Sequence, residues 1–215
     1  MGGCYLIIRK EIRGTLNSFL DINQFLNRQL INVQKPGRYV GGEYNQVKKE
    51  WKKEFIKIAL AFPDIYDIGF SNLGLAILYD EINKRRDALA ERLYAPWVDM
   101  EALLRKNNIP LFSLENRKPI NAFDILGFSI PYETLYTNVL NMLDLSGIPL
   151  RSINRKNDNP IVIAGGHTCF NPEPMYAFID AFVIGEGEEV IHEIIDLVKA
   201  EKAKGSKREE ILSNL

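Results

Sequence analysis

Two glycine-bearing stretches hold the residues best placed for chemistry. Ile161-Val162-Ile163-Ala164 runs into Gly165-Gly166, and Ala181-Phe182-Val183-Ile184 runs into Gly185-Glu186-Gly187-Glu188. A glycine pair at a strand end lets backbone approach a ligand closely, because no Cβ intervenes; it serves equally well as a tight turn towards Pro172. Gly185 and Gly187 around Glu186 suit a hydroxyl- or amide-bearing ligand. Alternatively, Glu186 and Glu188 simply complement the dipole of the helix that follows. On either reading their charge makes a poor seat for a bare phosphate. A third stretch, Asp64-Ile65-Tyr66-Asp67-Ile68-Gly69, follows the apolar run 56–62, and Ser71 opens the helical pattern behind it. A phenol has a free pKa near 10, so Tyr66 is a weak metal ligand at neutral pH unless the metal drives off its proton. The plainer reading is a half-buried aromatic whose hydroxyl bonds to Asp64 or Asp67. His167 and Cys169 follow the glycine pair, but two ligands fall short of a tetrahedral metal set. His167 is better read as a contact to a bound cofactor.

The elements that must hold these loops follow from hydrophobic periodicity. Strands are predicted over residues 56–62, 91–95, 122–130, 160–164 and 181–184, with 110–113 a short edge piece. Helices are predicted over 71–83, 98–107, 132–146 and 188–203, and 174–178 reads as a short helix or turn. This βα rhythm predicts an α/β fold in three layers, Rossmann- or flavodoxin-like. Its mostly parallel sheet has about five strands, with helices on both faces and an amino-terminal arm. Right-handed crossovers put every post-strand loop on one rim, and ligands of such sheets lie across the carboxyl ends of the strands. The arm takes residues 1–54, with a short helix over 18–30 and a glycine-rich loop over 38–45. The α/β domain takes 55–203. Residues 204–215 start a linker or a helix whose pattern stops without a cap, so a polypeptide running on into a further domain is expected. Lys48, Lys49, Lys52, Lys53 and Lys57, interleaved with Glu50 and Glu54, read as a solvated helix face.

The chain has 215 residues, 46% apolar and 26% charged, with net charge −1, as expected of an ordinary globular protein. That balance asks for neither nucleic acid nor an acidic membrane. Two cysteines, Cys4 and Cys169, form no paired motif, which suits a reducing, cytoplasmic setting. No apolar run reaches the length of a membrane span, and Leu6 stands where a myristoylation signal wants Ser or Thr.

The order strand, Gly165-Gly166, Pro172-Glu173, Asp180 before an apolar strand, then Gly185-Glu186-Gly187-Glu188 and a helix, resembles the end of the cobalamin-binding domain that precedes the catalytic barrel in many radical S-adenosylmethionine proteins. The first loop adds to the resemblance. Cobalamin-dependent methionine synthases and mutases carry Asp-x-His-x-x-Gly after their first strand; this chain has Asp64-x-Tyr66-x-x-Gly69. In those proteins the histidine replaces the cofactor's own base beneath cobalt, and the aspartate orients it. With tyrosine there, three readings stand: a cobalamin bound with no protein ligand below the metal, a rim kept after the cofactor was lost, or ligation by Tyr66. Ser129 matches the Ser or Thr beside the lower-base slot, although Pro131 replaces the usual leucine. Pro36-Gly37-Arg38-Tyr39-Val40-Gly41-Gly42-Glu43-Tyr44-Asn45 and Leu93-Tyr94-Ala95-Pro96-Trp97 resemble a branch of radical proteins that joins such a domain to a radical barrel.

The resemblance implies a cofactor-binding accessory domain, with Asp64, Tyr66, Gly69 and Ser71 on one side of the site. Ser129 would stand at the slot, and Gly165, Gly166, His167, Gly185, Glu186 and Gly187 along the rim. It implies a radical S-adenosylmethionine barrel as partner, in the same or another chain. The four-iron, four-sulfur cluster and S-adenosylmethionine would sit in that barrel, because three thiolates are needed and this chain has two cysteines. The alternative is a domain that lost the cofactor and serves as a docking or substrate-gating module.

Overall fold

A computed structural model describes residues 22–215. Cys4 and the first part of the predicted 18–30 helix lie outside the described residues. Five strands make one sheet: β1 (Ile56–Phe62), β2 (Ala88–Tyr94), β3 (Ile125–Ser129), β4 (Ile161–Gly165) and β5 (Ala181–Phe182). Every pairing is parallel and the order is β2-β1-β3-β4-β5. This is the flavodoxin-like order, whose topological switch point lies between β1 and β3. The near-continuous apolar runs of β1, β3 and β4 are what strands buried on both faces require.

In chain order the helices are α1 (Ile22–Gln29), α2 (Tyr66–Gly69), α3 (Leu73–Lys84), α4 (Val98–Asn107), α5 (Tyr136–Leu145), α6 (Gly187–Lys204) and α7 (Arg208–Asn214). Helices α3 and α6 pack side by side on one face of the sheet. On the other face α4 and α5 are joined by Asn141 Nδ2 to Glu101 Oε2 at 2.8 Å and Arg105 Nη1 to Asp144 Oδ2 at 2.7 Å. Asn72 caps α3 by accepting from Leu75 N at 2.8 Å, which separates α3 from the single turn of α2. Helix α6 ends at Gly205, whose φ of 76° closes it in the left-handed conformation. No helix of the described residues is long and apolar enough to cross a membrane.

Several local expectations are corrected. The lysine-rich segment is no helix: residues 46–50 carry no regular structure, and Lys57 lies inside β1. Tertiary packing overrides the helical spacing here. Trp51 packs edge-on against Phe123, 4.9 Å between ring centroids. Lys49 Nζ donates to the Arg85 and Ala88 carbonyls, at 2.7 and 3.0 Å. Strand β2 runs from Ala88 to Tyr94, starting three residues before its predicted position, and its charged Glu91 is wholly buried. The predicted edge strand 110–113 makes only a single antiparallel bridge, Phe112 to Pro119. The segment behind it instead seals the β2 edge: Leu114 N donates to Arg92 O, and Arg92 N donates to Glu115 Oε2 at 2.7 Å. Such cover is one way a sheet edge is kept from pairing with other chains. From Ile22 on, the arm packs on the core: Ile22, Phe25, Leu26 and Val33 belong to the same buried cluster as the strands.

Candidate functional site

The carboxyl ends of β1, β3, β4 and β5 open on a slot of about 180 Å³ between the sheet and helices α3 and α6. Leu60, Gly127 and Ile163 are register partners on adjacent strands and form its floor; Leu78 of α3 and Ile191 of α6 help form its roof. Glycine makes the space. Gly74, Gly127, Gly165 and Gly187 stand where side chains of sheet and helices would otherwise interlock. A Cβ at Gly127 would meet Ile163 Cγ1 at 3.5 Å and Leu60 Cδ2 at 3.7 Å, ordinary contact distances. Any longer side chain would extend into the slot. Most of the wall is apolar; Ser129 supplies a hydroxyl and Glu188 a carboxylate. The Ser129 hydroxyl has no hydrogen-bond partner among the described residues. A cavity of about 150 Å³ lined by aliphatic and aromatic groups stays dry and accepts a benzene-sized ring, so this slot has room for a planar aromatic group.

Gly166 is a hinge of backbone rather than of ligand. Its φ is 106° and ψ 177°, a combination essentially reserved to glycine. A Cβ there would stand 2.8 Å from Ile130 O and 3.0 Å from Ile130 C and N. The same carbonyl accepts from Thr168 Oγ1 at 2.8 Å, tying the β3 and β4 ends together. Gly166→Ala is therefore expected to cost about 2–3 kcal/mol, read as a shifted urea midpoint at constant slope; a change under about 0.5 kcal/mol would refute this account of the turn.

The first loop is turned away from the slot. Tyr66 stacks on Phe70 at 5.0 Å and meets Tyr94 edge-on at 5.3 Å. Its hydroxyl donates to Glu43 Oε1 at 3.0 Å, not to Asp64 or Asp67. Burial, with Glu43 adding to it, pushes this phenol up to about 12. Asp64 spends its carboxylate on Ile65 N at 2.7 Å, so it does not orient residue 66. Gly69 is needed for packing: a Cβ would lie 2.6 Å from Tyr94 Cδ1 and 2.8 Å from Phe62 Cδ1. Ser71 donates to Ile68 O at 3.0 Å within the same turn.

The arm holds this loop down. Asp67 accepts from Lys35 Nζ at 2.8 Å and from Arg38 Nε at 2.5 Å. Gln34 N donates to Asp99 Oδ2 at 2.8 Å, and Trp97 N donates to the Tyr39 hydroxyl at 3.1 Å. Glu43 also accepts from Arg92 Nη2 at 2.9 Å, and the Arg92 guanidinium lies 4.8 Å from the centre of the Tyr79 ring. Lys35 and then Arg38 hold the Asp67 carboxyl at about 2, against an ordinary 3.8. A depressed carboxyl favours the clamped state above about pH 4 and loses that contribution as pH falls through about 2. In Asp67→Asn at neutral pH, tryptic cleavage after Arg38 is expected to accelerate while the global unfolding midpoint barely moves, the ion pairs being exposed. The unsubstituted chain should loosen in the same place between about pH 4 and pH 2; equal cleavage rates for the two proteins at neutral pH would refute the clamp.

Thus Ser129, Gly165, Gly166, Gly185 and Gly187 line one cavity, whereas Asp64, Tyr66, Gly69, Ser71, His167 and Glu186 are not among its lining residues. Glu186 is the exposed residue preceding α6. His167 is exposed, its ring 6.0 Å from Phe170, and buried Cys169 has its thiol pushed up by burial. No group of three metal-ligating side chains exists among the described residues. Gly74, Gly127 and Leu78 line the slot without having been singled out in the sequence. A lone glycine inside an apolar strand, as at 127, marks a close approach or a bulge without saying which face it opens.

A family described as "Radical SAM proteins, N-terminal" matches residues 74–215. Among curated proteins, one named "Uncharacterized protein MJ0966", from Methanocaldococcus jannaschii, is 25% identical over 142 residues, which make up 65% of this chain and 26% of that protein. The chain spans about a quarter of that relative's length.

Proposed function

The chain belongs to the family of amino-terminal regions of radical S-adenosylmethionine proteins, and from that premise we propose that it is an accessory module holding a cobalamin-type cofactor for a radical catalytic barrel. The slot between the sheet and helices α3 and α6 is the observation that carries this reading. It lies at the carboxyl ends of the strands, beside the switch point where such sheets take ligands. Its glycine cradle and apolar walls suit the flat lower base of a corrinoid, with the unpartnered Ser129 hydroxyl available to a ring nitrogen. A protein ligand beneath the metal does not fit: the nearest candidate by sequence, Tyr66, is a protonated donor to Glu43. The mode that fits is one with no protein ligand below the metal.

Once bound, a corrinoid supplies methyl-carrying, metal-centred chemistry that belongs to the cofactor itself. The work of this chain is to bind and orient. The slot walls exclude water from the base, and Ser129 offers one directional hydrogen bond. The glycine turns let backbone come close to the ring. The clamped first loop keeps Tyr66 off the ligand. The iron-sulfur cluster and S-adenosylmethionine belong to the barrel.

The test is to incubate the purified chain with hydroxocobalamin, desalt it and record the corrin absorbance. Retention near one equivalent is expected, and Tyr66→Phe is expected to retain as much. No retained absorbance would remove the cofactor claim; loss of retention in Tyr66→Phe alone would remove the claim that no protein ligand is used.

A further inference from the structure

The loops that follow the five strands expose large apolar side chains out of proportion to the rest of the surface. Leu73 is 72% exposed, Phe170 67% and Ile184 59%; Ile68, Phe70 and Tyr132 are also exposed. Leu73 adjoins Gly74 and Ile184 adjoins Gly185, both lining the slot, so these two side chains stand next to its wall. Soluble surfaces seldom carry such grouped apolar residues without a partner.

The charges on the same rim are of one sign. Residues 63–73, 95–99, 130–136, 166–176 and 183–189 contain no lysine or arginine. They do contain acids, and the two halves of the rim treat them differently. On the β1–β2 half, the arm brings Lys35 and Arg38 to Asp67 and a backbone amide to Asp99. On the β3–β5 half, Glu133, Glu173, Glu186, Glu188 and Glu189 are exposed and have no ion-pair partner among the described residues. On its own half the arm meets the rim with basic and aromatic groups: Lys35 and Arg38 pair with Asp67, the Tyr39 hydroxyl accepts from Trp97 N, and Arg38 lies 5.5 Å from the centre of the Trp97 ring.

We propose that the β3–β5 half of this rim, around Phe170, Ile184 and the glutamates of the α6 start, is the docking face for the radical catalytic domain, which meets it with an apolar patch ringed by lysine or arginine. This inference rests on the family assignment and not on the cofactor reading. Charge complementarity of this kind sets orientation and makes association salt-dependent.

The test uses the polypeptide in which residues 1–215 are followed by a radical S-adenosylmethionine barrel, with the 215-residue chain as reference, both free of corrinoid. Amides of residues 167–171 and 184–188 are expected to exchange hydrogen about tenfold more slowly in the longer polypeptide. That protection should weaken at high salt and vanish in the double variant Phe170→Lys, Ile184→Lys. These positions are exposed, so the variant's shorter chain should unfold at an unchanged midpoint, which keeps misfolding apart from lost docking. Equal exchange in the two polypeptides, or protection that survives both salt and the double variant, would overturn the proposal. Corrin retention is read separately on the short chain, so docking and cofactor binding can fail independently.

Discussion

Asp180→Asn is expected to cost about 3–5 kcal/mol of folding stability, the usual penalty for removing one member of a buried ion pair. The Asp180 carboxylate is wholly buried, accepts three hydrogen bonds and pairs with a second guanidinium. Oδ1 lies 3.0 Å from Arg155 Nη1 and accepts from Ser152 Oγ; Oδ2 accepts from Val162 N at 2.6 Å and from Arg208 Nη2. Arg155 has no exposed side-chain surface and Arg208 is nearly as buried. Two guanidiniums thus share one carboxylate, and asparagine would leave both without a counter-charge at a depth where water cannot replace it. Arg208 belongs to α7, where its Nη1 also donates to the Asn159 and Pro160 carbonyls, each at 3.0 Å. Loss of Asp180 should therefore also free α7, seen as faster tryptic cleavage after Lys204 or Lys207. Urea unfolding measures the first effect. The double variant Asp180→Asn, Arg208→Met should recover part of the loss, because it removes one orphaned charge. A loss under about 1 kcal/mol would show that the cluster is hydrated and that α7 is held by Ile211 packing instead.

That residue marks where sequence reading succeeds and where it stops. Asp180 stood out as the acid before an apolar strand, a feature of the resemblance to cobalamin-binding domains. The structure puts it at the amino end of β5, away from the slot, as the anchor of an ion-pair cluster. The strands were legible because β1, β3 and β4 are apolar on both faces, and α4 because its acids and bases sit at the ends that suit the helix dipole. Slot-lining Ser129, Gly165 and Gly187 were legible as strand-end punctuation. Gly127 was not, because its meaning depends on register: only pairing with Leu60 and Ile163 makes it the gap in the floor. The Tyr66 hydroxyl was assigned to neighbours in sequence, yet its partner lies 23 residues earlier in the arm. Helical spacing of the lysines failed because Trp51 packs on Phe123 and Lys49 reaches the Arg85 and Ala88 carbonyls, which hold that segment to the core. In each miss a contact distant in sequence overrode a local pattern.

Filling the slot should separate stability from binding, which few substitutions at a ligand site do. Gly127 lies in the middle of a central strand and has no left-handed backbone angle. Glycine in such a place weakens a strand by about 0.5–1 kcal/mol relative to alanine. In Gly127→Ile the Cβ would find ordinary contacts with Ile163 and Leu60, and the rest of the side chain would occupy part of the 180 Å³ slot. The fold has room for it, so unfolding should shift upwards by about 1 kcal/mol. A planar base entering the slot has no such room. On the proposed cofactor reading, denying it burial worth about 1.5–3 kcal/mol is expected to weaken retention of hydroxocobalamin roughly 10- to 100-fold. Gly127→Ala adds only the Cβ and should raise stability with little effect on retention. If Gly127→Ile is destabilised by more than about 2 kcal/mol, the void is a packing artefact of a closed core rather than a slot. If it is stabilised and still retains corrinoid as well as the unsubstituted chain, the ligand base lies elsewhere on the rim, and only the open crevice above the strands is left to hold it.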